Sequence, residues 1–125
     1  MNITELSLLI SGTPLTKTGD TKRPVKGAFA ADLMSDVLAS IQPEAVLVTG
    51  LCNPQVIRTA HMADVAAIVL VRGKNPPQET IALAEQEGIP FISTPFGMFE
   101  VCGRLHRAGI PSLESPAEPD NCDCG

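Results

Sequence analysis

The sequence predicts a single α/β domain on a mostly parallel sheet with helices on both faces. Three observations carry this. Residues 45–48 (AVLV), 66–71 (AAIVLV) and 90–93 (PFIS) are short apolar runs without polar alternation, the pattern of strands buried on both faces. Each run leads into a helix start marked by proline, at Asn53-Pro54, Pro76-Pro77 and Thr94-Pro95, where a capping residue or proline suits the first turn. Strand and helix thus alternate as a βαβαβα core, which calls for parallel strands and right-handed crossovers. Finally, 125 residues give room for one domain that buries enough surface to fold without a disulfide or metal.

The elements follow in order. Asn2 and Glu5 have capping-box spacing, and Ile3, Leu6 and Leu9/Ile10 fall on one face of a helix that Gly12 ends. A short strand is expected near Leu15, then a turn at Thr18-Gly19-Asp20. Val25, Gly27 and Phe29 alternate with Lys26, Ala28 and Ala30 as a second strand. Asp32 is expected to cap the next helix, whose core stripe is Leu33, Met34, Val37, Leu38 and Ile41. After the strand 45–48, Val56, Ile57, Ala60 and Ala63 form the buried face of a helix. After 66–71, Ile81 and Ala84 face inward on a helix that Gly88 stops. After 90–93, a helix beginning at Thr94-Pro95 carries Met98, Val101, Cys102 and Leu105 on its apolar stripe, and Gly109 closes it. The expected domain is 1–110. Residues 111–125 hold Pro111, Pro116 and Pro119 with acidic side chains and Cys122-x-Cys124, a composition expected to form a flexible tail.

Composition narrows the function. Trp and Tyr are absent, Phe occurs four times and the net charge is −5. A base-stacking platform needs aromatics and phosphate binding over a surface needs a basic field, so a nucleic-acid partner is not expected. No apolar run is long enough to span a bilayer, and the amino-terminal residues lack a signal-peptide pattern, so a cytoplasmic protein without membrane association is expected. The cysteines are then expected as thiols.

The stretches GAFAADLMSDVL (27–38), 45–73, PPQETIALAEQEGIPFISTPFGMFEVCGRL (76–105) and AGI (108–110) together resemble the DRTGG domain family over nearly residues 1–110. That domain occurs alone, within some phosphotransacetylases and between the CBS domains of some pyrophosphatases, and it is similar to the N-terminal domain of HPr kinase/phosphorylase. The resemblance implies a regulatory or interaction domain without assigned catalytic residues. It also implies a homodimer and a protein partner, such as a redox or metabolic enzyme, with stand-alone members associated with hydrogenase systems. The eponymous residues depart. By spacing, the Asp-Arg pair falls on Cys52 and Asn53, and Thr-Gly-Gly falls on Val71, Arg72 and Gly73, so only Gly73 is kept.

Ligands of open α/β folds sit at the carboxyl ends of the parallel strands. Here those ends are Thr49, Gly50, Cys52 and Asn53; Arg72, Gly73 and Lys74; and Ser93 and Thr94. Helix N-termini favour anions, and Arg72 and Lys74 add positive charge, so the expectation is a shallow site for a small anion or nucleotide. The plainer account is that Asn53 and Thr94 cap helices, Gly50 and Gly73 relieve turns, and the two cations are solvated. Thr49-Gly50-Leu51-Cys52 matches neither a phosphate loop nor a nucleophile elbow. Cys52 has a histidine only at His61, about 12 Å further along the helix by axial rise, too far to act as its base. Cys102 is expected in the core, and His106 near a helix C-terminus. Cys122 and Cys124 are a candidate metal or redox pair, for zinc or an iron–sulfur cluster, and support an alternative role as a redox accessory protein. Their spacing matches no paired C-x-x-C pattern. No catalytic constellation is identifiable, and no cofactor is required by this reading.

Overall fold

The computed structural model describes residues 1–116. Ten elements follow along the chain, alternating from β2 onward: α1 (Ile3–Leu9), β1 (Thr13–Pro14), β2 (Ala28–Ala30), α2 (Met34–Ser40), β3 (Val46–Thr49), α3 (Pro54–Met62), β4 (Ala67–Leu70), α4 (Gln78–Glu87), β5 (Phe91–Ser93) and α5 (Met98–Arg107). They form one five-stranded sheet in the order β1-β5-β4-β3-β2. β2, β3, β4 and β5 run parallel, and β1 alone is antiparallel. The expected fold class is the one observed.

Side-chain alternation along the strands divides the core in two. Val46, Val48, Ala67 and Val69 point to the face covered by α1 and α5, where Ile3, Leu6, Ile10, Val101 and Leu105 complete the packing. Leu47, Ile68, Leu70 and Phe91 point to the other face, against Val37, Val56, Ile57, Ala60 and Ala84 of α2, α3 and α4. Each fully buried Val, Leu or Ile contributes about 1.5–3 kcal/mol from area removed from water. This explains why strands apolar on every position are stable only between two helical layers.

Local signals set most boundaries. The capping box at α1 is complete: the Glu5 amide donates to Asn2 Oδ1 at 2.8 Å, and the Asn2 amide donates to Glu5 Oε1 at 3.0 Å. Asn53 caps α3 by accepting from the Val56 amide at 3.2 Å, with Pro54 as first helical residue. Gly88 ends α4 in the left-handed conformation, with φ 67°.

Three expectations are corrected. Asp32 does not cap α2; the N-cap is Leu33, without a side-chain bond, because the Asp32 carboxylate turns toward β3. The α2 stripe is narrower than its spacing suggests: Val37 is buried, but Leu33 and Leu38 are 61% and 52% exposed. Nor does Thr94 cap α5, which begins at Met98 with Gly97 as N-cap. The Thr94 hydroxyl instead donates to the Ile10 carbonyl at 2.6 Å and accepts from the Phe96 amide at 3.2 Å.

Beyond α5 the chain returns to the free side of β2. The Ala28 amide donates to the Pro111 carbonyl, and the Leu113 amide donates to the Ala28 carbonyl, both at 2.9 Å. Ser115 continues the strap by donating to Ser40. At the other end, the Val25 amide donates to the Met1 carbonyl at 2.8 Å.

Candidate functional site at the carboxyl rim of the sheet

The register places Thr49 beside Leu70 and Leu70 beside Ser93. The loops after β2, β3, β4 and β5 therefore emerge along one rim. Backbone bonds stitch it together: the Val71 amide donates to Thr49, the Arg72 amide to Phe96 and the Gly73 amide to Thr94. Arg72 and Gly73 are both left-handed, with φ of 71° and 61°. Glycine accepts that conformation freely, whereas an L-residue such as arginine pays about 1–2 kcal/mol in steric strain.

Gly50 is the centre of the arrangement. Its amide donates to Asp32 Oδ1 at 2.7 Å, and its carbonyl accepts from Lys74 Nζ. The fully buried Thr49 hydroxyl donates to the same Asp32 oxygen at 3.1 Å and accepts from the Leu51 amide at 3.2 Å. Gly50 is not left-handed, so it does not serve to relieve the turn. The missing side chain leaves room for a methyl-sized group, where a Cβ would stand in ordinary contact, 3.5 Å from both Asp32 Oδ1 and Lys74 Nζ.

The remaining rim residues vary in availability. Arg72 and Lys74 are exposed and form no ion pair among the described residues. Asn53 is engaged as the α3 cap. Ser93 is half-buried at the end of β5 beside Thr13, while Thr94 is fully buried and tied to α1 through Ile10. α3 and α5 each begin five residues behind a strand end, at Pro54 after Thr49 and at Met98 after Ser93. Asp32 is the rim residue that sequence reasoning assigned elsewhere. Its signal was a short acid directly behind a strand, a place that serves a neighbouring loop as readily as a helix cap.

The cysteines do not converge. Cys52 packs against the α2–α4 side of the sheet. Cys102 lies on the opposite face, lining a cleft of about 190 Å³ between α5, β2 and residues 110–114, with His106 beside it. Burial pushes the Cys102 thiol above its ordinary pKa, away from reactivity. His61 is paired through Nδ1 with Glu87 Oε2 at 3.1 Å. Among the described residues no group of three His, Cys, Asp or Glu could hold a metal ion. Cys122 and Cys124 lie outside the described residues.

The sequence profile described as the DRTGG domain matches residues 6–108. The chain belongs to the DRTGG domain family. Among solved structures, this DRTGG domain is similar to the regulatory region of a Clostridium perfringens pyrophosphatase, comprising CBS and DRTGG domains, crystallised with its activator diadenosine tetraphosphate. The TM-score is 0.66 at 17% identity, over 94% of this chain and 51% of that one. At that identity the likeness shows the fold, and this chain spans about half the length of the other. No curated protein matches the chain. The stretches onto which the family's eponymous residues fall, 52–53 and 71–73, both lie along the rim just described. No helix among the described residues is long and apolar enough to cross a membrane.

Proposed function

We propose that this DRTGG domain is a non-catalytic regulatory or interaction domain that senses a small anionic ligand of the nucleotide class at its carboxyl rim. One observation supports this above the others: side chains from two other loops, Asp32 and Lys74, meet at the Gly50 peptide, and the Thr49 hydroxyl bonds the same Asp32 oxygen. The exposed Arg72 and Lys74 supply positive charge on a molecule with net charge −5, and a local concentration of one sign of charge raises the concentration of counter-ions beside it. A catalytic reading would need a nucleophile beside a base. Cys52 has none in reach, because His61 lies two turns along the helix that follows it, about 12 Å by axial rise, and is paired with Glu87. The ligand set would be Arg72, Gly73 and Lys74 with Thr49, Gly50, Cys52 and Asn53, flanked by Ser93 and Thr94.

The reading includes a homodimer and a protein partner that receives the signal, such as a metabolic enzyme. The exposed Leu33, at the N-cap of α2, and Leu38 within it are the apolar surface offered for self-association.

Calorimetry and thermal unfolding against AMP, ATP, diadenosine tetraphosphate, acetyl phosphate and inorganic phosphate test the reading. A nucleotide is expected to bind below about 1 mM and, at a hundredfold excess over its Kd, to raise stability by about 2.7 kcal/mol. Arg72→Ala is expected to weaken that ligand about tenfold, one charge-assisted contact's worth. Absence of any binding below about 1 mM, where ΔG is only about −4 kcal/mol, retires the proposal.

A further inference from the structure

Resting on the ligand-sensing reading above, the geometry around Gly50 also says which part of a ligand belongs there. The donors at the end of β3 are the Gly50 amide and the Thr49 hydroxyl. Both point to a single atom, Asp32 Oδ1, at 2.7 and 3.1 Å. These are the groups a phosphate oxygen would use at a strand end, and a carboxylate of the chain already holds them. A phosphate arriving here would have to displace that carboxylate and approach a like charge.

The second carboxylate oxygen, Asp32 Oδ2, makes no hydrogen bond among the described residues, and Asp32 is exposed. Its partner oxygen is anchored by a fully buried threonine and a backbone amide, so the free oxygen is presented from a fixed base. Lys74 Nζ flanks the same side-chain-free spot over Gly50. An acceptor on one side and a donor on the other suit a group that both donates and accepts. A hydroxyl does so; a phosphate oxyanion only accepts, and an ammonium only donates.

We infer that Asp32 is the specificity-determining residue of the rim. It closes the Thr49–Gly50 donors to phosphate and reads a hydroxyl of a polyol, the ribose of a nucleotide, leaving the ligand's phosphate to the Arg72 side.

The test uses the full chain with Asp32→Ala and the near-isosteric Asp32→Asn, which retains acceptor capacity for the same donors without charge. The probes are AMP, 2′,3′-dideoxyadenosine monophosphate and inorganic phosphate, read by calorimetry and by the Gly50 amide in ¹⁵N–¹H spectra. The wild type should bind AMP at least tenfold more tightly than the dideoxy analogue, and Asp32→Ala should bind the two alike. Phosphate should shift the Gly50 amide in both variants and not in the wild type. Equal wild-type affinity for AMP and its dideoxy analogue overturns the inference, as does phosphate reaching the wild-type Gly50 amide as readily as in the variants. If no nucleotide binds any of the proteins, the ligand-sensing reading fails, and with it the ribose role. The phosphate arm then decides the exclusion by itself: a shift confined to the variants upholds it, and equal shifts end it.

Discussion

Gly27 occupies a place where the chain has no room for a side chain. A Cβ there would stand 2.5 Å from Leu113 Cγ and 2.7 Å from the Pro111 carbonyl oxygen, because the strap beyond α5 presses directly on the start of β2. Gly27→Ala should therefore push the strap away and cost about 1–3 kcal/mol, as overpacking of a tight site does. Urea denaturation should show a lower midpoint at unchanged m. Asp32 illustrates what residue types hide. An acid ahead of a helical stripe satisfies every rule for an N-cap, yet its carboxylate is taken by Gly50 and Thr49 across the rim. A local rule scores only local donors, and the competing donors here lie 17 and 18 residues away. Asn53 met no such competitor and caps as its sequence context implies.

Among the elements, α4 also holds down the loop that precedes β2. Glu85 accepts from the Lys17 amide at 2.8 Å, and from the Thr18 amide and hydroxyl at 2.9 Å each. These bonds, those from Thr18 first, hold its carboxyl below the ordinary value of 4.5. A carboxyl whose pKa is lowered by folding binds its proton more readily in the unfolded chain. Its stabilising contribution is therefore complete above 4.5 and drains away as pH falls through the folded-state value. Glu85→Gln should destabilise the domain near neutral pH, and the gap to the wild type should narrow as the pH is taken down to about 3, below the usual carboxyl range. Urea unfolding at stepped pH measures it. The central strands and α3 and α4 were legible because continuous apolar runs and proline-marked helix starts needed no knowledge of distant contacts. The edges of the fold were less so. α2 is a seven-residue helix at the flank of the sheet, so Leu33 and Leu38 continue an apolar spacing with no layer to meet. The α5 start shifted because the Thr94 hydroxyl is claimed by Ile10, 84 positions earlier.

Over the whole molecule, neither margin of the sheet offers a long free strand. Residues 111–113 lie along β2, and the other margin is β1, an exposed two-residue strand ending in Pro14. A covered margin and a short proline-ended one discourage strand-to-strand assembly, so the proposed homodimer should form through helical surface. Sedimentation equilibrium is expected to give twice the chain mass, and Leu33→Lys with Leu38→Lys is expected to give the single-chain mass with native circular dichroism. A wild type that sediments as a monomer at every concentration, or a charged variant that remains dimeric, counts against this arrangement. The rim was legible as a place, since alternating strands and helices must deliver their loops to one side. Its chemistry was not, because Gly50 acquires Asp32 and Lys74 only once three loops are folded together.

The strap and the first residue have one more implication. Met1 is bonded to Val25, and Pro111, where the strap begins, is bonded to Ala28, so both grip the approach to β2 three chain steps apart, about 10 Å when extended. Bringing together segments this far apart in sequence carries a loop-closure cost, so the seating of this edge strand is completed only when the chain between them has folded.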